Sequence, residues 1–313
     1  MSFAVGTGDY DARVGAVGAT LLSARFRGRD LIVPVASRRQ ASAMEGAVLA
    51  PWPNRLADGR FEFGGAVHQL AVDEPATGTA VHGLVHELEF ALVGATASGV
   101  ALSARIEARS GYPWTVRIDV EVSALDDGVR QTITATNVGA GVAPIGLGAH
   151  PYFLAGAATR AASAGDATSP ASPVVDGWRL TLPADELLLV SDDRLLPLAR
   201  ARVGDHDAGR FDFRHEHEIG PTEFNHAFTA LHRDTDGFAT ARLTGTNGHG
   251  VEVSWDAPWV QLYSADLPPP GTRRHALAIE PMTCPPDAFN SGTDLRVLAP
   301  GESTALTWRV RAF

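Results

Sequence analysis

Three segments of the sequence place an ionisable side chain where its neighbours restrict it. They are His82-Gly83, Gly148-Ala149-His150-Pro151-Tyr152-Phe153 and Ala278-Ile279-Glu280-Pro281-Met282. Because proline disfavours helical backbone in the residue before it, His150 is held extended and its ring has a defined direction. Glu280 ends an otherwise apolar strand, and burial there would raise its pKa towards neutrality.

A glutamate and a histidine whose pKa values lie close together can remove one proton from a substrate and deliver another. Each such proton transfer typically contributes about 10²–10⁴-fold in rate. Spacing alone leaves a second interpretation open. In it, His82 and His150 are structural histidines with satisfied hydrogen bonds, and Glu280 is an ion-pair partner at a strand end.

The elements that must position these residues are β-strands. Period-2 alternation of apolar and polar residues recurs in Ala12–Phe26, Val100–Glu107, Trp114–Ser123, Val129–Asn137, Ala239–Leu243, Val251–Trp255 and Ser303–Arg311. Asp126-Asp127-Gly128 and Thr246-Asn247-Gly248 are typical of hairpin turns. Short helices are predicted only around Ala184–Leu189 and Pro285–Phe289. The pattern predicts an all-β fold, a large antiparallel β-sandwich with few short helices.

We predict that residues 1–313 form a single domain. Of the 313 residues, 45% are hydrophobic, which is enough apolar material for a large core. Ala157–Pro173 is rich in small residues and could pass for a linker. Because strand-like patterning continues on both sides of it, we predict a surface loop instead.

Charge and composition exclude several function classes. The formal net charge is -10 and the basic residues are scattered, which argues against nucleic acid or an anionic membrane surface as a partner. All 26 basic residues are arginine. Without a lysine amine, Schiff-base chemistry with a substrate or with pyridoxal phosphate is closed.

A cytoplasmic location is predicted from three features. Met1–Tyr10 does not resemble a secretory signal, and no apolar run approaches the roughly 20 residues needed to span a bilayer. Cys284 is the only cysteine, which excludes an internal disulfide and fits a reducing compartment.

No cofactor and no metal are predicted. The sequence has no Walker A motif and no dinucleotide-binding loop that opens a helix. His82 and His86 are four residues apart but lack the helical character and the glutamate of a zinc-protease motif. His215 and His217 lie in a charged, solvated segment. We expect Cys284 to be a buried apolar residue and not a nucleophile.

The order of motifs resembles the aldose 1-epimerase (galactose mutarotase) family over essentially the whole chain. The matching segments are Asn54-Arg55, Gly59-Arg60-Phe61, His82-Gly83, His150-Pro151-Tyr152-Phe153, Val260-Gln261-Leu262-Tyr263, Glu280-Pro281, Pro286-Asp287-Ala288-Phe289-Asn290 and Leu298-Ala299-Pro300-Gly301-Glu302. The His-Pro-Tyr-Phe and Glu-Pro segments in this order are the specific ones. The resemblance implies the large sandwich of the galactose mutarotase type.

The resemblance also implies roles. Glu280 matches the general base that takes the proton of the anomeric hydroxyl, and His150 matches the general acid that protonates the ring oxygen. His82 matches a second histidine near that oxygen. Asn54, Arg55 and Gln261 match polar groups that hold sugar hydroxyls, and Asn225 is assigned to substrate binding at a position where it departs from the family. The implied reaction is interconversion of the α and β anomers of a free aldohexose such as glucose or galactose. A monosaccharide is then the small-molecule partner, and we expect a monomer or a homodimer.

Asn225 departs from the family, which usually has aspartate there. Asparagine keeps an acceptor, adds a donor and removes a charge, so the preferred substrate is open. One alternative is a non-catalytic carbohydrate-binding protein of the same fold. Another is C1 epimerisation of a phospho- or sulfo-sugar, which would need convergent arginines. The candidates Arg273-Arg274 are adjacent in sequence, and we expect them to be solvated surface.

Three aromatic residues have two interpretations. Trp52, Tyr152 and Trp259 could stack on a sugar face, but in a sandwich most aromatic side chains belong to the core. We expect at least one of them to be core.

Overall fold

The computed structural model describes residues 1–41, 43–156, 174–266 and 273–313. The predicted surface loop Ala157–Pro173 lies outside these residues. The strands, numbered in chain order, are β1 (Ser2–Thr7), β2 (Tyr10–Gly15), β3 (Leu21–Phe26), β4 (Arg29–Asp30), β5 (Ala47–Leu49), β6 (Arg55–Ala57), β7 (Arg60–Phe63), β8 (Ala66–Gln69), β9 (Thr79–Val81), β10 (Ala91–Ala95), β11 (Gly99–Ile106), β12 (Val116–Leu125), β13 (Gly128–Asn137), β14 (Ala143–Ile145), β15 (Gly148–His150), β16 (Tyr152–Phe153), β17 (Arg179–Thr181), β18 (Ala184–Val190), β19 (Pro197–Arg202), β20 (His217–Glu218), β21 (Asn225–Leu231), β22 (Ala239–Thr244), β23 (Gly250–Trp255), β24 (Trp259–Tyr263), β25 (Leu277–Met282), β26 (Arg296–Leu298) and β27 (Ser303–Ala312).

Helical structure in the described residues is limited to single turns. They are 3-10 turns at Arg38–Gln40, Val174–Gly177 and His206–Gly209, and one α-helical turn, α1, at Ala288–Ser291. Within the described ranges, no helix has the length and apolarity needed to cross a membrane.

Two large antiparallel sheets form the sandwich. The nine-stranded sheet has the order β10-β11-β12-β13-β27-β23-β22-β17-β20, and the eight-stranded sheet has the order β19-β18-β21-β24-β25-β15-β5, with β16 also paired to β25. A four-stranded sheet, β1 to β4, and the ribbons β6-β9, β7-β8 and β14-β26 complete the structure.

The core lies between the two large sheets. β12 buries every second residue from Val116 to Ala124, which is the alternation expected of a strand with one face on the core. The rings of Phe153 in β16 and Trp308 in β27 meet edge-on, with centroids 6.0 Å apart. The all-β sandwich prediction is confirmed.

The predicted turns are confirmed and one predicted helix is wrong. Asp126-Asp127-Gly128 links β12 to β13, and Thr246-Asn247-Gly248 links β22 to β23. The segment Ala184–Leu189, predicted as helix, lies in strand β18 between β19 and β21. Its run of three leucines fits either period, and pairing with two neighbouring strands decides the outcome. The second candidate, Pro285–Phe289, overlaps α1 only at its last two residues.

The eight-stranded sheet carries the candidate site because its central strands are buried on both faces. In β24 and β25, Val260, Leu262 and Ile279 belong to the main core cluster. Gln261 and Glu280 alternate with them and therefore project from the opposite face. Both are nevertheless 2% exposed. A buried carboxyl group on that face requires an explanation other than core packing.

Candidate active site

Strand register brings the two principal candidates together. Gln261 in β24 is the partner of Glu280 in β25, and Gly148 in β15 is the partner of Met282 two residues further on. Antiparallel pairing therefore sets His150, at the end of β15, beside Glu280. His150 Nε2 lies 3.5 Å from Glu280 Oε1, and His150 is 5% exposed.

Burial makes both members of this pair favour the neutral form. It raises the pKa of Glu280 well above its ordinary value of 4.5, with Arg55 acting in the opposite direction. Burial lowers the pKa of His150 from 6.5 to about 3, and Arg38 adds to the lowering. Both shifts favour a pair that carries one proton on the carboxyl group, beside a neutral imidazole.

His82 completes a cluster of three titratable side chains. Its ring meets the His150 ring edge-on, with centroids 5.0 Å apart. Its Nδ1 accepts a hydrogen bond from the Asn54 backbone N–H at 3.2 Å, which assigns the ring proton of the neutral form to Nε2. Burial, then the neighbouring His150 and Arg55, lowers the pKa of His82 well below 6.5, so the ring is neutral.

The backbone explains the His-Gly motif. His82 has φ 62° and Gly83 has φ 78°, so two consecutive residues occupy the left-handed region. A Cβ on Gly83 would lie 2.0 Å from the Ala50 carbonyl oxygen, so only glycine fits beside that chain. The turn delivers the His82 ring to His150.

The predicted hydroxyl-binding residues differ in their availability. Gln261 Nε2 donates to Asn225 Oδ1 at 2.9 Å, and Gln261 Oε1 is buried without a partner in the described chain. These two side chains extend the Glu280 face of the sheet. Asn54 instead uses its side-chain oxygen locally, accepting from the Arg55 N–H at 2.9 Å. The Arg55 guanidinium donates to both carboxylate oxygens of Glu74 at 2.7 and 3.0 Å.

The aromatic candidates are all buried, as expected for core residues. Trp52 Nε1 donates to the Ala80 carbonyl at 3.3 Å, and Trp259 Nε1 donates to Asp294 Oδ2 at 2.7 Å. The Tyr152 ring stacks on His150, with centroids 5.1 Å apart and planes inclined by 17°. Tyr152 therefore fixes the plane of the His150 ring.

The prediction for Arg274 is wrong. Instead of lying on the solvated surface, it is 4% exposed and bound by Asp176 and Asp266, each at 2.6 Å. Two carboxylates and the carbonyls of Gly220 and Thr222 satisfy the guanidinium and permit its burial. Arg273 is exposed, 3.5 Å from Glu223.

Sequence reasoning missed Arg38. It lies in a 3-10 turn outside every matched motif, and its charge lowers the pKa of both His150 and His82. No sequence signal marks it, since Arg38-Arg39 looks like any exposed basic pair.

Other predicted absences concern metal and thiol chemistry. Over the described residues, no group of three or more His, Cys, Asp or Glu side chains is arranged to hold a metal ion. Cys284 is fully buried, and burial raises its pKa to about 12, as expected for a thiol that packs as an apolar residue.

The geometry can be compared with known proteins. The sequence profile of the aldose 1-epimerase family matches residues 2–311. The chain belongs to this family. Aldose 1-epimerases are isomerases that act on sugars.

Two relatives illustrate this membership. Within the family's range, an uncharacterized protein of Escherichia coli, YihR, is 32% identical over 304 residues, covering 97% of this chain and 90% of its own. The human galactose mutarotase is 27% identical over 234 residues, which are 71% of this chain and 62% of the human protein.

Solved structures of aldose 1-epimerase homologues share the fold. A GalM/aldose epimerase homologue from C. elegans superposes with a TM-score of 0.82 at 20% identity, covering 100% of this chain and 99% of the other. A galactose 1-epimerase from Lactobacillus acidophilus gives a TM-score of 0.76 at 17% identity, with 100% and 98% covered. At these identities the similarity establishes the sandwich alone.

Proposed function

We propose that the protein is an aldose 1-epimerase that interconverts the α and β anomers of a free aldohexose. Glu280 is the general base and His150 the general acid. The observation that carries the proposal is the 3.5 Å approach of His150 Nε2 to Glu280 Oε1 on one buried sheet face. The anomeric oxygen O1 and the ring oxygen O5 are both bonded to C1, so the two groups that serve them must lie on one site, within reach of a single carbon.

Proton bookkeeping supports the assignment. The cycle needs a Glu280 carboxylate and a His150 imidazolium, and this state holds the same single proton as the neutral pair. Glu280 takes the proton of O1 while His150 donates one to O5; the C1–O5 bond breaks and the C1=O1 bond forms. Rotation about C1–C2 presents the other face of the aldehyde. Closure reverses both transfers and restores the pair.

His82 supports the ring oxygen as a neutral donor. Its Nδ1 is occupied by the Asn54 N–H, so Nε2–H is the group free to donate. A neutral donor stabilises the charge at O5 without competing for the proton that His150 supplies. Gln261 and Asn225 hold sugar hydroxyls along the same sheet face.

Polarimetry on freshly dissolved α-glucose and α-galactose tests the proposal. Galactose is included because the human relative is named a galactose mutarotase. Wild-type protein is expected to accelerate the change in rotation, and Glu280→Gln and His150→Asn are each expected to lose about 10²–10⁴-fold. No acceleration of any aldose by the wild type would contradict it.

The competing function is sugar binding without catalysis, which Asn225 favours because the family usually has aspartate there. Titration calorimetry together with polarimetry separates the two. Sugar binding with no change in the rate of anomer exchange would select the binding protein.

A further inference from the structure

Arg38 is anchored to the strand that borders the proposed acid. One of its guanidinium nitrogens contacts Met44 Sδ. The Met44 carbonyl accepts from the Ala47 N–H at 3.0 Å, and Ala47 is the direct strand partner of His150. The Gly46 N–H also donates to the His150 carbonyl at 2.9 Å. The guanidinium therefore stands on the His150 side of the site.

Within the part of the chain that the structure describes, this guanidinium has no anionic partner. Among the described residues, no carboxylate oxygen lies within 4 Å of Arg38, whereas Arg55 is paired with Glu74 and Arg274 with two aspartates. Arg38 Nε is buried without any hydrogen bond within the described chain. Removing a cation partly from water without a partner costs free energy. Hydrogen bonds to a bound oxyanion would offset that cost.

Towards the site, the ionisable side chains that Arg38 influences are histidines. Its charge lowers the pKa of His82, His86 and His150, in each case after the effect of burial. His86 Nδ1 is a second buried nitrogen without a partner in the described ranges. Glu45 and Glu87 act on Arg38 in the opposite direction from beyond ion-pair distance.

A second feature is the uncharged side chain at position 225. Asn225 presents an amide whose oxygen accepts a hydrogen bond from Gln261 Nε2 at 2.9 Å. An amide does not repel an anionic substrate as a carboxylate at this position would.

Resting on the proposed function, we propose that the preferred aldose carries an oxyanion on C6, the exocyclic carbon bonded to C5, and that Arg38 binds it. The placement follows from the reaction. In the proposed reaction His150 serves O5, C5 is bonded to O5, and C6 is bonded to C5. An anionic group on C6 is therefore the one that we assign to Arg38, on the His150 side of the site. A carboxylate, a phosphate or a sulfonate at C6 each matches the guanidinium fork. Arg273 and Arg274 were the arginines considered for binding an anionic group, but both face other carboxylates. In this proposal Arg38 supplies the guanidinium instead.

Saturation transfer between the anomeric protons, measured by NMR at equilibrium, tests this with five sugars. The neutral sugars are glucose and galactose, and the anionic ones are the 6-carboxylate, 6-phosphate and 6-sulfonate of glucose. We expect kcat/KM for at least one anionic sugar to exceed that for glucose by roughly 10–100-fold, the contribution of a hydrogen bond to a charged group. The three anions distinguish which oxyanion fits.

Variants assign the preference to Arg38. Arg38→Gln is expected to lower the ratio of anionic to neutral kcat/KM at least about tenfold. Arg39→Gln, an exposed neighbour with the same change of charge, is expected to leave the ratio as it is. Asn225→Asp is expected to lower the ratio because it adds a negative charge to the proposed sugar-binding face.

The outcomes separate this inference from the proposed function. If the wild type turns over the neutral sugars as well as or better than the anionic ones, the inference is overturned and the proposed function stands. An unchanged ratio of anionic to neutral kcat/KM in a folded Arg38→Gln protein has the same meaning. Should Arg38→Gln not fold, inorganic sulfate as a competitor of the wild type replaces it. Stronger inhibition by sulfate of anionic than of neutral turnover supports the site, and equal inhibition overturns it. Absence of exchange with all five sugars overturns the proposed function.

Discussion

Two buried clusters of ionisable groups in this protein are built on opposite principles. Around Arg274, two aspartates and two carbonyls satisfy the guanidinium, so the cluster is closed. Around Glu280, three buried polar atoms have no partner within the described chain: Glu280 Oε2, His150 Nδ1 and Gln261 Oε1. Since unpaired buried polar atoms are costly, their concentration on one sheet face points to a ligand that supplies the missing partners. We expect the first cluster to stabilise the fold, and the second is the proposed site of the chemistry.

The largest expected effect breaks the second cluster without breaking the fold. Glu280→Gln keeps the shape of the side chain and removes the base, so the catalysed rate of anomer exchange should fall about 10²–10⁴-fold. Circular dichroism melting should show little destabilisation, because a buried carboxyl group with an unpaired oxygen contributes little to stability. A large loss of stability with retained activity would reverse the roles of the two clusters.

The next effect breaks the first cluster. Arg274→Met removes the cation and leaves Asp266 buried without a partner charge. The free energy of unfolding should fall by about 3 kcal/mol. This is the lower end of the range for a broken buried ion pair, because Asp176 is partly exposed. Urea denaturation measures this change, and Arg273→Met serves as the exposed control. An equal effect of the two substitutions would contradict the structural role of Arg274.

A third prediction concerns the dependence of stability on pH. Glu280 has a raised folded pKa, so alone it makes stability fall as pH rises above 4.5; His150 has a lowered one, so alone it makes stability fall as pH drops below 6.5. Between these values the pair holds one proton in both the folded and the unfolded state, and the two effects cancel.

The single variants should expose these opposite slopes. His150→Asn should lose stability as pH rises above 4.5, and Glu280→Gln should lose it as pH falls below 6.5, each by at most about 1.4 kcal/mol per pH unit. Urea denaturation from pH 4.5 to 6.5 measures both, with wild type as the control. Slopes of the same sign in the two variants would contradict the shared proton.

The smallest effect is expected for a substitution of Gln261, beside Glu280 in the second cluster. Gln261→Met removes one unpaired buried oxygen and the hydrogen bond to Asn225, so stability should change by less than about 1 kcal/mol. KM for the sugar should rise roughly tenfold, since a hydroxyl contact is lost. Steady-state kinetics and urea denaturation together check it. An unchanged KM would remove Gln261 from the site.

Much of this arrangement could be predicted from the sequence. Strand alternation and turn residues predicted the sandwich, and the His-Pro and Glu-Pro segments predicted two residues that the strand register then brings to 3.5 Å. The segment Ala184–Leu189 was mispredicted as helix, because a short leucine run fits both periods and only pairing with its neighbours decides.

The charge environment could not be predicted in the same way. Arg38 and Arg274 each follow or precede another arginine and look alike in sequence. Arg38 has no ion-pair partner among the described residues, and Arg274 is enclosed by aspartates from distant segments. Partners far apart along the chain decide the difference, and no local pattern records them.

A crystal structure of Glu280→Gln with a bound aldose would show whether positions 280 and 150 flank one sugar. We expect O1 within about 3 Å of the carboxamide at position 280 and O5 within about 3 Å of His150 Nε2. A sugar bound with C1 turned away from both side chains, or held on another face of the protein, would contradict this expectation.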